Sequence, residues 1–100
     1  GTDKLEAAAA ELADFGTTVC TRSVDVADEQ AVIDGVVTTA DALGGLDIVV
    51  VNAGITGQLQ KFPESSTEQY RKVMATNLDG AYFTLREASK ILVAQGTGVR

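Results

Sequence analysis

The stretch Leu46-Asp47-Ile48-Val49-Val50-Val51-Asn52-Ala53-Gly54 constrains this chain more than any other. An apolar run ends abruptly in an amide and two small residues, with Gly44-Gly45 before it and Gly54 after it. A short apolar run bounded in this way reads as a strand buried on both faces. Such strands belong to parallel sheets covered by helices. In open sheets of that kind, ligands lie beyond the carboxyl ends of the strands. Asn52, Ala53 and Gly54 fall at that end of a strand over 46–52, so the sequence marks where a ligand would sit.

The flanking segments alternate with that strand. Thr2 is placed to cap a first helix, with Asp3 and Glu6 near its positive end and Leu5, Ala8, Ala9, Leu12 and Phe15 at helical spacing. Gly16 ends it, and the Val- and Thr-rich stretch Thr17–Val26 reads as a strand. Asp28 is a cap for a second helix whose stripe is Val32, Val36, Ala40 and Leu43. A polar connector over 55–66 holds Gly57 and the one proline, Pro63, and is either a substrate-contacting loop or a plain surface link. A third helix begins near Ser66 or Thr67 and runs to about Gln95, with Tyr70, Val73, Met74, Asn77, Ala81, Leu85, Ala88 and Leu92 along one face. Gly96 and Gly98 stop it, and Val99 is placed to enter a further strand. The order helix-strand-helix-strand-helix predicts an α/β class: a partial, Rossmann-like three-layer parallel sheet with right-handed crossovers.

Two strands do not make a self-sufficient parallel sheet. The central one expects neighbours on both edges, since a bare edge is an aggregation template. With Gly1 in place of an initiating Met and the end falling at Val99-Arg100, both termini look cut. The expectation is one partial domain over residues 1–100, the middle of a larger fold.

Charge and residue types narrow the function. Net charge is −6, and the basic residues form no clustered face, which argues against nucleic-acid binding. The acidic first half, with Lys4 and Arg22 against ten acids, reads as solvated helix faces. With no His and a single Cys20, these residues hold no Ser-His-Asp triad, zinc cluster or internal disulfide. No apolar run reaches the ~18 residues of a membrane span, and a reducing cytosolic setting is the default.

Taken in order, Asp25-Val26, Leu46-Asp47 with the Val run into Asn52-Ala53-Gly54, and Asn77-Leu78-Asp79-Gly80 resemble the short-chain dehydrogenase/reductase family over essentially the whole chain. Each motif alone is weak; together and in order they are specific. The resemblance implies a doubly wound Rossmann-type sheet binding NAD or NADP, and hydride transfer between an alcohol and a ketone. It places Asp25 and Val26 near the cofactor's adenine, with Asp25 as a strand-closing residue that helps cap the following helix as the alternative. It places Asn52, Ala53 and Gly54 against the adenosine ribose, with Val51 where the family has a second Asn. Small residues there allow close approach, and Asn52 is suited to tie the sheet together.

The resemblance also assigns Asn77 to the catalytic group with a Ser, a Tyr and a Lys. There it distorts the helix so that its carbonyl holds a relay water; a buried structural amide is the alternative. Tyr70 and Tyr82 lack a Lys four residues on and read as helix packing residues. The family's Gly-x-x-x-Gly-x-Gly turn, Ser and Tyr-x-x-x-Lys pair are absent from these residues. The isolated chain is therefore expected to be inactive and to oligomerise through helix 67–95. Two other readings stay open: a non-catalytic module that completes its sheet with a partner chain, and another Rossmann-like nucleotide binder.

Overall fold

A computed structural model describes residues 2–96; the expected strand at Val99 and the stop at Gly98 lie outside them. Helix α1 spans Thr2–Ala13, so Thr2 lies inside the helix instead of capping it. Helix α2 spans Glu29–Leu43: the Asp28 side chain accepts from Ala31 N–H, and Gly44 closes the helix at φ 80°. A 3₁₀ turn over Phe62–Glu64 leads to α3, Thr67–Met74, whose first turn is capped by Ser66 accepting from Gln69 N–H. The expected single helix is interrupted. Residues Ala75–Asp79 form a π turn, closed by Gly80 N–H donating to Ala75 C=O, and α4 continues over Gly80–Gln95.

The expected sheet is not seen among the described residues. Among the described residues there is no β-strand, and no backbone hydrogen bond joins 17–26 to 46–52. A strand exists through a hydrogen-bonded neighbour, and these two segments are not neighbours. An open cleft of about 510 Å³ separates them, walled by Val24 and Val26 on one side and Ile48 and Val50 on the other. Its floor includes Val32 of α2 and Ala88 of α4.

Burial on both faces also fails. Helix α2 packs on α4, while α1 packs on no other helix among the described residues. Val49 and Val51 are half-buried, whereas Ile48 and Val50 are 85% and 79% exposed. The alternation is that of a strand with one covered face. The α1 stripe is uncovered in the same way: Leu12 and Phe15 are exposed, and no α1 residue is buried.

The apolar residues that are buried are Val32, Ala40 and Ala88. The radius of gyration is 16.1 Å, against ~13 Å for a closed domain of this length. Described by itself, this is a two-helix layer carrying two unpaired extended segments.

The buried side of α4 differs from the expected stripe. Gly80, Glu87 and Ala88 are buried, while Tyr70, Asn77, Tyr82 and Leu85 are exposed. Small residues decide this. At Gly80 the helix comes so close to the first segment that an added Cβ would lie 2.7 Å from Val26 Cγ2 and 3.0 Å from Val26 O. Thr84 then turns its hydroxyl back onto Gly80 C=O at 2.8 Å.

Glu87 is 6% exposed and is not left unpaired. Arg86 Nε lies 2.7 Å and Lys90 Nζ 3.0 Å from its carboxylate, and Arg86 also reaches Glu29 of α2 at 2.7 Å. Arg86, and then Lys90, hold the Glu87 carboxyl below its ordinary range. The Arg86 guanidinium is raised, first by Glu29 and then by Glu87, and it lies over the Tyr82 ring at 5.3 Å. A charged group thus sits inside the α2–α4 contact because it is paired on each side.

Candidate functional site

The carboxyl end of the 46–54 run meets the π turn. Asn77 lies inside that turn and points its amide at a single residue of the connector. Ile55 N–H donates to Asn77 Oδ1 at 2.8 Å, and Asn77 Nδ2 donates to Ile55 C=O at 2.8 Å. Asn77 is exposed, not buried as its place on the expected stripe implied, yet its amide is engaged on both sides. A π turn disturbs the regular i→i+4 ladder and recurs at functional positions in proteins.

Gly54 stands directly against this amide. A Cβ built on it would lie 3.4 Å from Asn77 Oδ1, ordinary contact with no room to spare. Around the two opens a cavity of about 650 Å³, whose wall continues through Thr56, Gln69 and Lys72.

The other expected site residues are placed less tightly. Asp25 is exposed; its Oδ1 accepts from Ala27 N–H at 3.0 Å, and its carbonyl accepts from Asp28 N–H at 3.0 Å. The turn-closing role is therefore present, and it uses one carboxylate oxygen. Val26 packs on Gly80, which ties the end of the first segment to the start of α4. Asn52 and Ala53 are exposed, and the Asn52 side chain makes no hydrogen bond among the described residues. The expected tie across the sheet has no strand here to reach.

Two contributors were not legible from the motifs. Gly80 fixes how closely α4 approaches Val26. Gln95 clamps Leu46 as Asn77 clamps Ile55: Leu46 N–H donates to Gln95 Oε1 at 2.8 Å, and Gln95 Nε2 donates to Leu46 C=O at 2.7 Å. One signal existed. Asn77 and Gln95 are eighteen residues apart, about five helical turns, so both amides fall on one helix face.

Among the described residues no group of His, Cys, Asp and Glu is arranged to hold a metal ion, and no helix is long and apolar enough to cross a membrane.

The short chain dehydrogenase family profile matches residues 1–99. The chain is 38% identical over 90 residues to L-rhamnose 1-dehydrogenase (NAD(P)(+)) of Azotobacter vinelandii, covering 90% of this chain and 35% of that protein. Its fold superposes on NAD+-bound xylitol dehydrogenase with a TM-score of 0.92 at 26% identity, covering 98% of this chain and 38% of that one. It superposes on levodione reductase with a TM-score of 0.91 at 31% identity, covering 98% and 39%. The chain belongs to the short-chain dehydrogenase/reductase family, an oxidoreductase family of Rossmann-type fold that uses a nicotinamide cofactor. It spans little more than a third of the relatives it matches.

Proposed function

We propose that this chain is the central part of an NAD(P)-dependent oxidoreductase that interconverts an alcohol and a ketone. One observation carries the proposal: Asn77, inside a π turn, clamps the residue that follows Gly54, at the rim of an open cavity. The unpaired segments and the cleft between them support a fold in which further parallel strands fill that cleft and helices cover Ile48 and Val50. The resulting sheet is the doubly wound Rossmann arrangement, with the ligand beyond its carboxyl ends.

The residues present fit a dinucleotide. Ala53 and Gly54 offer backbone without bulk to a ribose, and a Cβ at Gly54 would sit in ordinary contact with Asn77. Asp25 spends one carboxylate oxygen on Ala27 and keeps the other to accept from an adenine amine, with Val26 beside it. When bound, the cofactor supplies or accepts hydride. The chain's own task is different. The Asn77 side chain is engaged with Ile55, so its main-chain carbonyl in the loosened π turn is the atom assigned to hold a relay water for the proton. The Ser, Tyr and Lys that would share that work lie outside these residues. The substrate is a small alcohol or ketone; relatives named as dehydrogenases of a sugar and a polyol support that class.

Calorimetric titration with NAD and NADP, on a polypeptide that carries these residues downstream of a Gly-x-x-x-Gly-x-Gly turn, tests the reading. Asp25→Ala is expected to weaken binding of the preferred cofactor about tenfold, the loss of a charge-assisted hydrogen bond. If neither cofactor binds that polypeptide without the substitution, the non-catalytic module replaces the enzyme.

The outward face of the long helix carries Leu78, Tyr82, Leu85 and Val93, all more than half exposed. A contiguous apolar face of this kind suits a second copy of the chain. Homo-oligomerisation through 67–95 is expected on size exclusion, and a monomer at micromolar concentration would reject it. A cytosolic setting remains part of the proposal.

A further inference from the structure

The segment 46–55 is held at both ends by amides of the long helix, each taking the N–H and the C=O of one residue. From Asn77 to Gln95 the helix rises ~27 Å. The nine steps of extended chain from Leu46 to Ile55 cover ~30 Å. The two lengths agree to within about one residue. Both clamps therefore close together only when the segment lies extended along the helix in one register, running opposite to it. A slip by one residue would turn Ile48 and Val50 toward the helices and Val49 and Val51 away.

In a sheet, register is ordinarily set by neighbouring strands. Among the described residues this segment has none, and the two amides hold its backbone instead. Gly45 makes room for the far clamp. Its φ is 137°, and a Cβ there would lie 2.7 Å from Gln95 Oε1.

We propose that Gln95 is a positioning residue. It sets the register of 46–55 against α4, brings Gly54 and Ile55 to the cavity, and holds the Asn77–Ile55 clamp closed from the opposite end. Its consequence for cofactor binding rests on the function proposed above; the register lock does not.

The test is Gln95→Met in a polypeptide that carries these residues between a Gly-x-x-x-Gly-x-Gly turn and a Tyr-x-x-x-Lys pair, reading amide hydrogen exchange at Leu46 and Ile55 together with KM for NADH or NADPH and kcat. Methionine keeps the length and helix preference of the side chain and removes both hydrogen bonds. Exchange is expected to accelerate about tenfold at Leu46 and also at Ile55. The cofactor KM is expected to rise by a larger factor than kcat falls. Gln95→Glu still accepts from Leu46 N–H but cannot donate to Leu46 C=O. It should give an intermediate acceleration at both sites, and it supplies the reading if Gln95→Met does not fold. Acceleration confined to Leu46, or absent from both sites, overturns the proposal. If Ile55 exchange responds while neither cofactor binds, the register lock stands and the dinucleotide reading falls.

Discussion

Replacing Asn77 with leucine should lower kcat of the enzyme by about a hundredfold or more, within the range that proton-transfer groups contribute. The same change should cost roughly 1–3 kcal/mol of stability, because Ile55 N–H and C=O both lose their partner. The two effects separate. Asn77→Asp keeps an acceptor for Ile55 N–H but cannot donate to Ile55 C=O, so it should recover part of the stability and little of the rate. Steady-state kinetics with NAD(P)H and a ketone, alongside thermal unfolding, read both quantities. A leucine variant whose kcat stays within a factor of about three would show that the Asn77 side chain is not needed to position the carbonyl assigned to the relay water. If its unfolding were also unchanged, the clamp would have no energetic weight.

Gly80→Val should destabilise the fold more than any other single change near the site. Helix propensity alone argues the opposite, since a side chain in place of glycine ordinarily stabilises a helix interior by up to ~1 kcal/mol. The packing at Val26 reverses that sign. The first added carbon would already lie 2.7 Å from Val26 Cγ2, 2.9 Å from Val26 Cβ and 3.0 Å from Val26 O. Gly80→Ala is therefore expected to lose roughly 1–3 kcal/mol, with valine losing more. Part of the loss is against a side chain and part against backbone. Adding Val26→Ala to Gly80→Ala should recover the first part and leave the second. Denaturant unfolding of the two single variants and the double variant closes the cycle. A Gly80→Ala protein at least as stable as the parent would show that α4 has room to move away from Val26.

The parts of this molecule that were legible in the sequence are those fixed by local chemistry. Asp28 is a cap because a short acceptor precedes an amphipathic run, and it makes the expected bond, while the third helix begins at Thr67, within the expected bounds. Gly44 ends α2 because the chain there turns left-handed. Val32, Ala40 and Ala88 were on the predicted stripes and are buried.

What failed depends on partners distant in the chain. Thr17–Val26 and 46–52 have the composition of strands, but a ladder needs a neighbour, and neither segment neighbours the other. Ile48, Val50 and the α1 stripe are exposed for the same reason: the face they would bury against is not among the described residues. Tyr70 and Tyr82, read as packing residues, are exposed as well. At the site, Asn77 was visible because an amide on an apolar stripe demands a partner, but that partner, Ile55, was not. Gln95 drew no notice at all, since a glutamine near a helix end is ordinarily solvated. Only its five-turn spacing from Asn77 set it apart, and that matters only once the segment 46–55 is known to lie along the helix.

The most direct measurement is NAD(P)H-dependent reduction of a panel of ketones, run in parallel on the 100-residue chain and on a polypeptide carrying the same residues between a Gly-x-x-x-Gly-x-Gly turn and a Tyr-x-x-x-Lys pair. On the function proposed above, these residues would supply the ribose-facing backbone, Asp25 and the Asn77 carbonyl, and the added segments the pyrophosphate turn and the proton donor. Turnover by the longer polypeptide, and none by the 100 residues alone, is the outcome the proposed function predicts. Turnover by the 100 residues alone, or failure of the longer polypeptide to oxidise NAD(P)H with any ketone, would contradict it.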